Sequence, residues 1–311
     1  MLSRRNFLNS TLGIGFALAT QRTQQTAAQA PAAQGARKRT IVDAQVHLWK
    51  AESDHWKWVP GMKPQLPEPF TIERAVPLMD EAGVDRAVVV PPSWTGDRND
   101  YGLEAANRYP NRFAVMGRIA LQNPKSAELL PKWKEQTGML GVRLTFLGPN
   151  EKWLNDGTAD WFWPAAEKAG IPVMFLALGK GTDMARVAER HPQLQLITWG
   201  MALPVEAVRA GNFQFEDMLA LAKHPNVSIK LSGALNYSKE PFPYRDMHPH
   251  IERLFDAFGP RRCYWGTDIT NSFARASWRQ RVTHFEALDF LSEEDKDWVM
   301  GRAILARLGW A

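Results

Sequence analysis

Apolar residues recur along this chain in two alternating patterns. Short, nearly continuous apolar runs fall at 41–47, 86–91, 113–119, 141–146, 171–177, 194–199, 227–232 and 262–268, as expected of strands whose two faces are both covered. Between them lie amphipathic segments, among them TIERAVPLMDEAG, YGLEAANRYP, WFWPAAEKAG, TDMARVAERHP and FEDMLALAKHP, each closed by Gly or Pro. Eight strands alternating with helices predict a parallel sheet, and the roughly 270 residues from 40 to 311 suit one α/β domain, a (β/α)8 TIM barrel. The alternative, an open doubly wound sheet, would want a Gly-rich phosphate loop, and the sequence has none.

A barrel of this kind works at the C-terminal ends of its strands. The polar residues at those ends form a coherent set: Gln45 and His47 on the first strand, Ser93 just past the second, Arg143 on the fourth, Trp199 on the sixth, Lys230 and Ser232 on the seventh, and Asp268 on the eighth. In VDAQVHLW the pair Gln45 and His47 is two residues apart, so both face the same way. Two histidines at that spacing could grip a metal; a glutamine removes one of them.

Lys and Arg number 38 against 33 Asp and Glu, but Arg4, Arg5 and Arg22 lie in the acid-free residues 1–30, so the rest of the chain is nearly balanced. The charge therefore gives no reason to expect a nucleic-acid partner. The lone Cys263 excludes an internal disulfide and any cysteine-cluster metal site, and is expected to be a packed, inert thiol. SRRNFLNSTLGIGFALAT followed by AAQAP looks like a twin-arginine export signal over residues 1–30, with a polar, disordered leader at 31–39. Its apolar run is too short to anchor the protein in a membrane. Periplasmic localisation, with the twin-arginine translocase as a transient partner, is the expectation.

The succession VDAQVHLW, VVVPPSWTGDRNDY, GVRLTF, AGIPVM, HPQLQLITWG, NVSIKLSGA and FGPRRCYWGTDIT resembles the amidohydrolase superfamily, in its amidohydrolase-2 branch, which includes sugar-acid and pyrone-dicarboxylate lactonases. Metal-dependent members would be expected to show His-x-His on strand 1, His at the ends of strands 5 and 6, and Asp on strand 8. Here Gln45 and Trp199 stand at two of those places, strand 5 has no histidine, and His47 and Asp268 remain. A catalytic zinc wants three or more ligands, so no cofactor is expected unless a single zinc uses relocated ligands. The resemblance implies that some lactonases of the branch work without metal, their strand 8 aspartate activating water.

On that reading Asp268 is the general base, with a pKa raised by a partly dry pocket, and His47 orients water or donates to the carbonyl. Gln45 and Lys230 add donors for an oxyanion. Arg143 and Ser93 match positions that contact a substrate carboxylate in the resembling lactonases. His248 and His250, in the long segment after strand 7, are reserve candidates for acid catalysis or a relocated metal. Trp49 and Trp199, among 13 tryptophans, offer flat surface for a cyclic substrate. The expected activity is hydrolysis of a lactone or related ester. Two alternatives stay open: a metal-dependent hydrolase or decarboxylase, and a non-catalytic ligand-binding barrel, which would have no reason to keep His47 and Asp268 together.

Overall fold

The structure is a computed structural model that describes residues 39–199 and 216–311. The export signal and all but the last residue of the leader lie outside the described residues. The eight expected strands are present as β1 (Val42–Val46), β2 (Arg86–Val89), β3 (Phe113–Gly117), β4 (Met139–Thr145), β5 (Val173–Leu176), β6 (Leu196–Thr198), β7 (Val227–Lys230) and β8 (Cys263–Tyr264). All neighbours pair parallel in sequence order. Hydrogen bonds from Ala44 N to Trp265 O (3.1 Å) and from Asp268 N to Gln45 O (3.1 Å) bring the last strand back to the first and close the barrel.

The helices follow their sequence signals. Helix α1 (Ile72–Ala82) starts where the Thr71 side chain accepts from Arg74 N and stops at Gly83, whose φ of 75° suits a residue without Cβ. It buries Ile72, Ala75, Met79 and Ala82, one helical stripe. Within FEDMLALAKHP the described residues depart from expectation: Glu216–Ala220 is α-helical, and Leu221–Lys223 tightens into a 3₁₀ turn.

Alternation along each strand divides the side chains between two cores. Val42, Ala44, Val88, Ala114, Met116, Met174, Ile197 and Tyr264 fill the barrel, and Ala303, Ile304, Leu308 and Trp310 cover its lower end. Ala87, Val89, Phe113, Val115, Val142, Leu144, Val173 and Leu196 belong to the larger core between barrel and helices. Each fully buried aliphatic side chain of this size contributes about 1.5–3 kcal/mol relative to exposure.

Strand β1 breaks the alternation, and the break creates the site. Its pairing with β2 slips between Asp43 and Val46, so Val42 and Ala44 point inward below the slip while Val46 packs outward above it. Gln45 and His47 thereby turn into the barrel mouth. Asp43 points the other way and accepts from Gln45 N (3.0 Å), Thr267 N (2.9 Å), the Thr267 hydroxyl and Trp278 Nε1 (2.9 Å), tying β1 to β8 and the helix outside it. Burial lifts its carboxyl to about 6 against these donors. A raised carboxylate pKa means the folded state holds the extra proton, so this group's contribution falls as pH rises from about 4 to about 6. Asp43→Ala would strand several buried donors at about 1–3 kcal/mol each. A Tm roughly 6–12 °C lower is expected by calorimetry; an unchanged Tm would show that the strands close without it.

Candidate active site

Carrying the inward side of each strand a residue or two beyond its end assembles a polar cavity. Gln45 lies on β1 and His47 just past it, Arg118 follows Ala114 and Met116 of β3, Arg143 and Thr145 lie on β4, Leu176 ends β5, Trp199 follows Ile197 of β6, and Asp268 lies beyond Tyr264 of β8. Ser93, in the turn after β2, completes one wall of a space of about 180 Å³.

His47 and Asp268 form its chemical centre. His47 Nδ1 lies 2.7 Å from the Val90 carbonyl, which can only accept, so Nδ1 carries a hydrogen. The opposite nitrogen, Nε2, is 3.1 Å from Asp268 Oδ1, although not aligned as a hydrogen bond, which leaves Oδ1 without a hydrogen-bond partner. Oδ2 accepts from Asn271 Nδ2 at 2.7 Å and Trp199 Nε1 at 3.3 Å. Trp199 is thus a donor to the carboxylate as well as a wall of the cavity. Asp268 takes φ 47°, ψ 43°, a left-handed conformation costing about 1–3 kcal/mol for a non-glycine residue. The bond from its N–H to Gln45 O and the one from Asn271 N to its carbonyl (3.0 Å) hold it there.

Sequence reasoning expects burial to raise the Asp268 pKa; the structure shows the reverse. Burial does push it up, but the His47 charge and contact, the Asn271 hydrogen bond and the Lys230 charge together outweigh that and hold the carboxyl well below its ordinary range. These partners favour the ionised form of Asp268.

Lys230 lies beneath this pair, fully buried, its ammonium donating to Gln45 Oε1 and 3.7 Å from Met174 Sδ. Because an ammonium only donates, it fixes which end of the Gln45 amide is oxygen and leaves the NH2 group for the cavity. Burial and then the Arg143 charge push the Lys230 pKa well below normal, against the pull of Asp268 and Asp43.

Arg143 is 4% exposed, and its Nε and Nη1 have no hydrogen-bond partner. Burial, followed by the nearby Arg118 charge, lowers its pKa to about 9, with Asp268 opposing. Arg118 Nε also lacks a hydrogen bond and is 3.8 Å from Asp97 Oδ1. A buried Arg143 guanidinium beside the half-buried Arg118 is costly unless an anion joins them in the cavity.

Besides Lys230, three expected substrate contacts lie outside the cavity. Trp49 is fully buried behind the wall, edge-on to Trp94 at 5.3 Å, because the segment after β1 folds it inward. His248 and His250 lie on the helix His248–Phe258, where the His248 ring faces His284 at 5.3 Å; neither lines the cavity. Sequence reasoning missed Arg118, whose signal was the continued two-residue period from Ala114, and Gln65 and Asn271, which lie on connections without such a signal.

Residues 42–306 match the amidohydrolase family. The chain belongs to that family. Among curated proteins it is 27% identical to L-fucono-1,5-lactonase of Burkholderia ambifaria over 235 residues, 73% of this chain and 79% of the relative. It is 29% identical to 4-sulfomuconolactone hydrolase of Hydrogenophaga intermedia over 217 residues, 66% of this chain and 67% of the relative. Family and relatives together make the chain a hydrolase. Its fold is shared with a probable 2-pyrone-4,6-dicarboxylic acid hydrolase of Acinetobacter baumannii (TM-score 0.71, 18% identity, 87% of this chain and 100% of that one). It is shared also with a zinc-bound amidohydrolase of Burkholderia multivorans (TM-score 0.72, 19% identity, 87% and 99%).

The residues at this site do not fit such a metal. Among the described residues no three His, Cys, Asp or Glu side chains come together as ligands, and all 7 histidines of the chain are described. Of these residue types only His47 and Asp268 line the cavity among the described residues, and Lys230 Nζ already takes the Gln45 amide oxygen as a partner.

Proposed function

We propose that this enzyme hydrolyses a lactone bearing an anionic group, without a metal, using the His47–Asp268 pair to take the proton from water. The observation that carries this reading is a buried acid–base pair facing two guanidiniums: buried Arg143, whose Nε and Nη1 have no hydrogen-bond partner, and half-buried Arg118, whose Nε has none and has Asp97 3.8 Å away. The anion fixes the ring in the cavity with its carbonyl toward Gln45, whose amide N–H donates to the oxygen as it becomes an oxyanion.

Water donates a hydrogen bond to Asp268 Oδ1, the oxygen left without one, and attacks the carbonyl carbon. In the neutral form of His47, with Nδ1 bonded to the Val90 carbonyl, Nε2 carries the lone pair that takes the proton from water, and the Asp268 carboxylate 3.1 Å away stabilises the resulting imidazolium. Collapse of the tetrahedral intermediate breaks the ring C–O bond, the alkoxide recovers the proton from Nε2, and the product is the open hydroxy acid. Lactones, with an alkoxide leaving group, need no stronger electrophile. The similarity to two proteins named for lactone hydrolysis supports the same reaction class.

The test is hydrolysis of carboxylated five- and six-membered lactones by protein dialysed against a strong chelator, with metal content measured on the same sample. Undiminished turnover with substoichiometric metal is expected. About one zinc per chain, lost to the chelator together with activity, would overturn the metal-free reading.

The N-terminal segment carries a second part of the proposal, export to the periplasm by the twin-arginine translocase. Arg4→Lys with Arg5→Lys, outside the barrel, is expected to leave the protein in the cytoplasm of a bacterium that has this translocase. Normal delivery of the double variant in a fractionation assay would count against it.

A further inference from the structure

The catalytic cavity opens on its outer side into a wider space of about 570 Å³, and the two share Gln65, Leu147, Leu176, Trp199 and Asn271 as common walls. Their linings differ in character. Arg118, Arg143, His47 and Asp268 do not reach the outer space; Leu66, Leu147, Leu176, Leu178, Trp199 and Phe273 do, with Arg275, Asn236 and Thr270 among the polar residues at its edge. All six apolar side chains are only half-buried, an unusual concentration of partly wet apolar surface beside a charged site. The inner cavity, at about 180 Å³, is below the roughly 300–1,000 Å³ of ordinary ligand sites; with the outer space it falls in that range.

Resting on the lactonase reading above, we infer that the outer space is an apolar subsite of the same active site, and that the substrate is an amphipathic lactone or ester. Its anionic group lies against Arg118 and Arg143, its scissile carbonyl at His47 and Asp268, and an alkyl or aryl arm runs outward between Leu66, Leu178 and Phe273. Continuity argues for substrate rather than a separate ligand: Leu147, Leu176 and Trp199 are walls of both spaces, so anything filling the outer one from the reacting carbonyl passes along them. A purely polar substrate would leave those side chains in water, and a purely apolar one would leave the guanidiniums unpaired.

The full-length enzyme would be assayed on lactones of one ring size whose alkyl substituent grows from methyl to hexyl. In parallel, calorimetry would measure binding of the ring-opened hydroxy acids, which needs no turnover. Both kcat/KM and affinity are expected to rise about three- to fourfold per methylene over the first carbons and then level off. Leu66→Ser with Leu178→Ser should flatten that rise. Affinity that climbs with chain length while no lactone is hydrolysed would uphold the subsite and remove the lactonase reading on which it was built. Hydrolysis of the methyl compound with no gain in kcat/KM or affinity along the series would overturn the subsite and leave the lactonase reading standing. The parent series decides the matter even if the double variant fails to fold.

Discussion

Asp268→Asn is expected to lower kcat on a carboxylated lactone by about 10²–10⁴-fold, the usual size of a general-base contribution. The substitution suits the backbone, because asparagine is among the few non-glycine residues that tolerate the left-handed conformation Asp268 adopts. Its side-chain oxygen can still accept from Asn271 and Trp199, so the loss is one of charge at Oδ1. Without that charge the imidazolium at His47 has no counter-ion, and the proton taken from water has no favourable place to rest. His47→Ala should then cost a similar factor, not the smaller one expected if His47 only oriented the water or carbonyl. Near-parental kcat in Asp268→Asn on the true substrate would remove the acid–base assignment.

The same charge affects stability with a definite sign. The folded carboxyl is held below its unfolded value, so its contribution is present above about pH 4 and fades as pH falls toward the folded pKa. The gap in Tm between parent and Asp268→Asn should therefore narrow from pH 7 to pH 3.

Much of this was legible in the sequence because a parallel barrel imposes simple rules. Eight covered strands read as eight apolar runs, and a strand-end position on one of them is a site position, which is how Gln45, His47, Arg143, Trp199 and Asp268 come together from strands far apart in the chain. Lys230 shows the limit of that rule. It lies on the correct face of β7 but beneath the cavity, acting through Gln45, because a strand pattern gives direction without depth. Trp49, His248 and His250 fail for another reason: Trp49 lies in the segment after β1 and the two histidines in the first turn of the helix His248–Phe258, where side-chain direction depends on how these pieces pack on the barrel, which no strand period encodes. The Asp268 pKa fails similarly, since burial could be anticipated and the number of partners around the carboxylate could not.

Arg143 yields the most discriminating substitution, because its binding and stability effects should have opposite signs. A buried guanidinium with two N–H groups unsatisfied and Arg118 nearby is a cost to the empty enzyme, retained for the anion that will meet it. Arg143→Met keeps the length and removes the charge, so Tm should rise by a few degrees where Asp43→Ala lowers it. Substrate binding should weaken by about 1.5–3 kcal/mol, the value of a charge-assisted hydrogen bond, which is roughly ten- to hundredfold in KM. Arg143→Lys restores charge without the planar fork and should recover only part of that loss. kcat should move little if the anion contacted by Arg143 is remote from the reacting carbonyl, as uniform binding requires. A variant that instead loses kcat at constant KM would place Arg143 on the oxyanion itself, and Gln45 would lose that role.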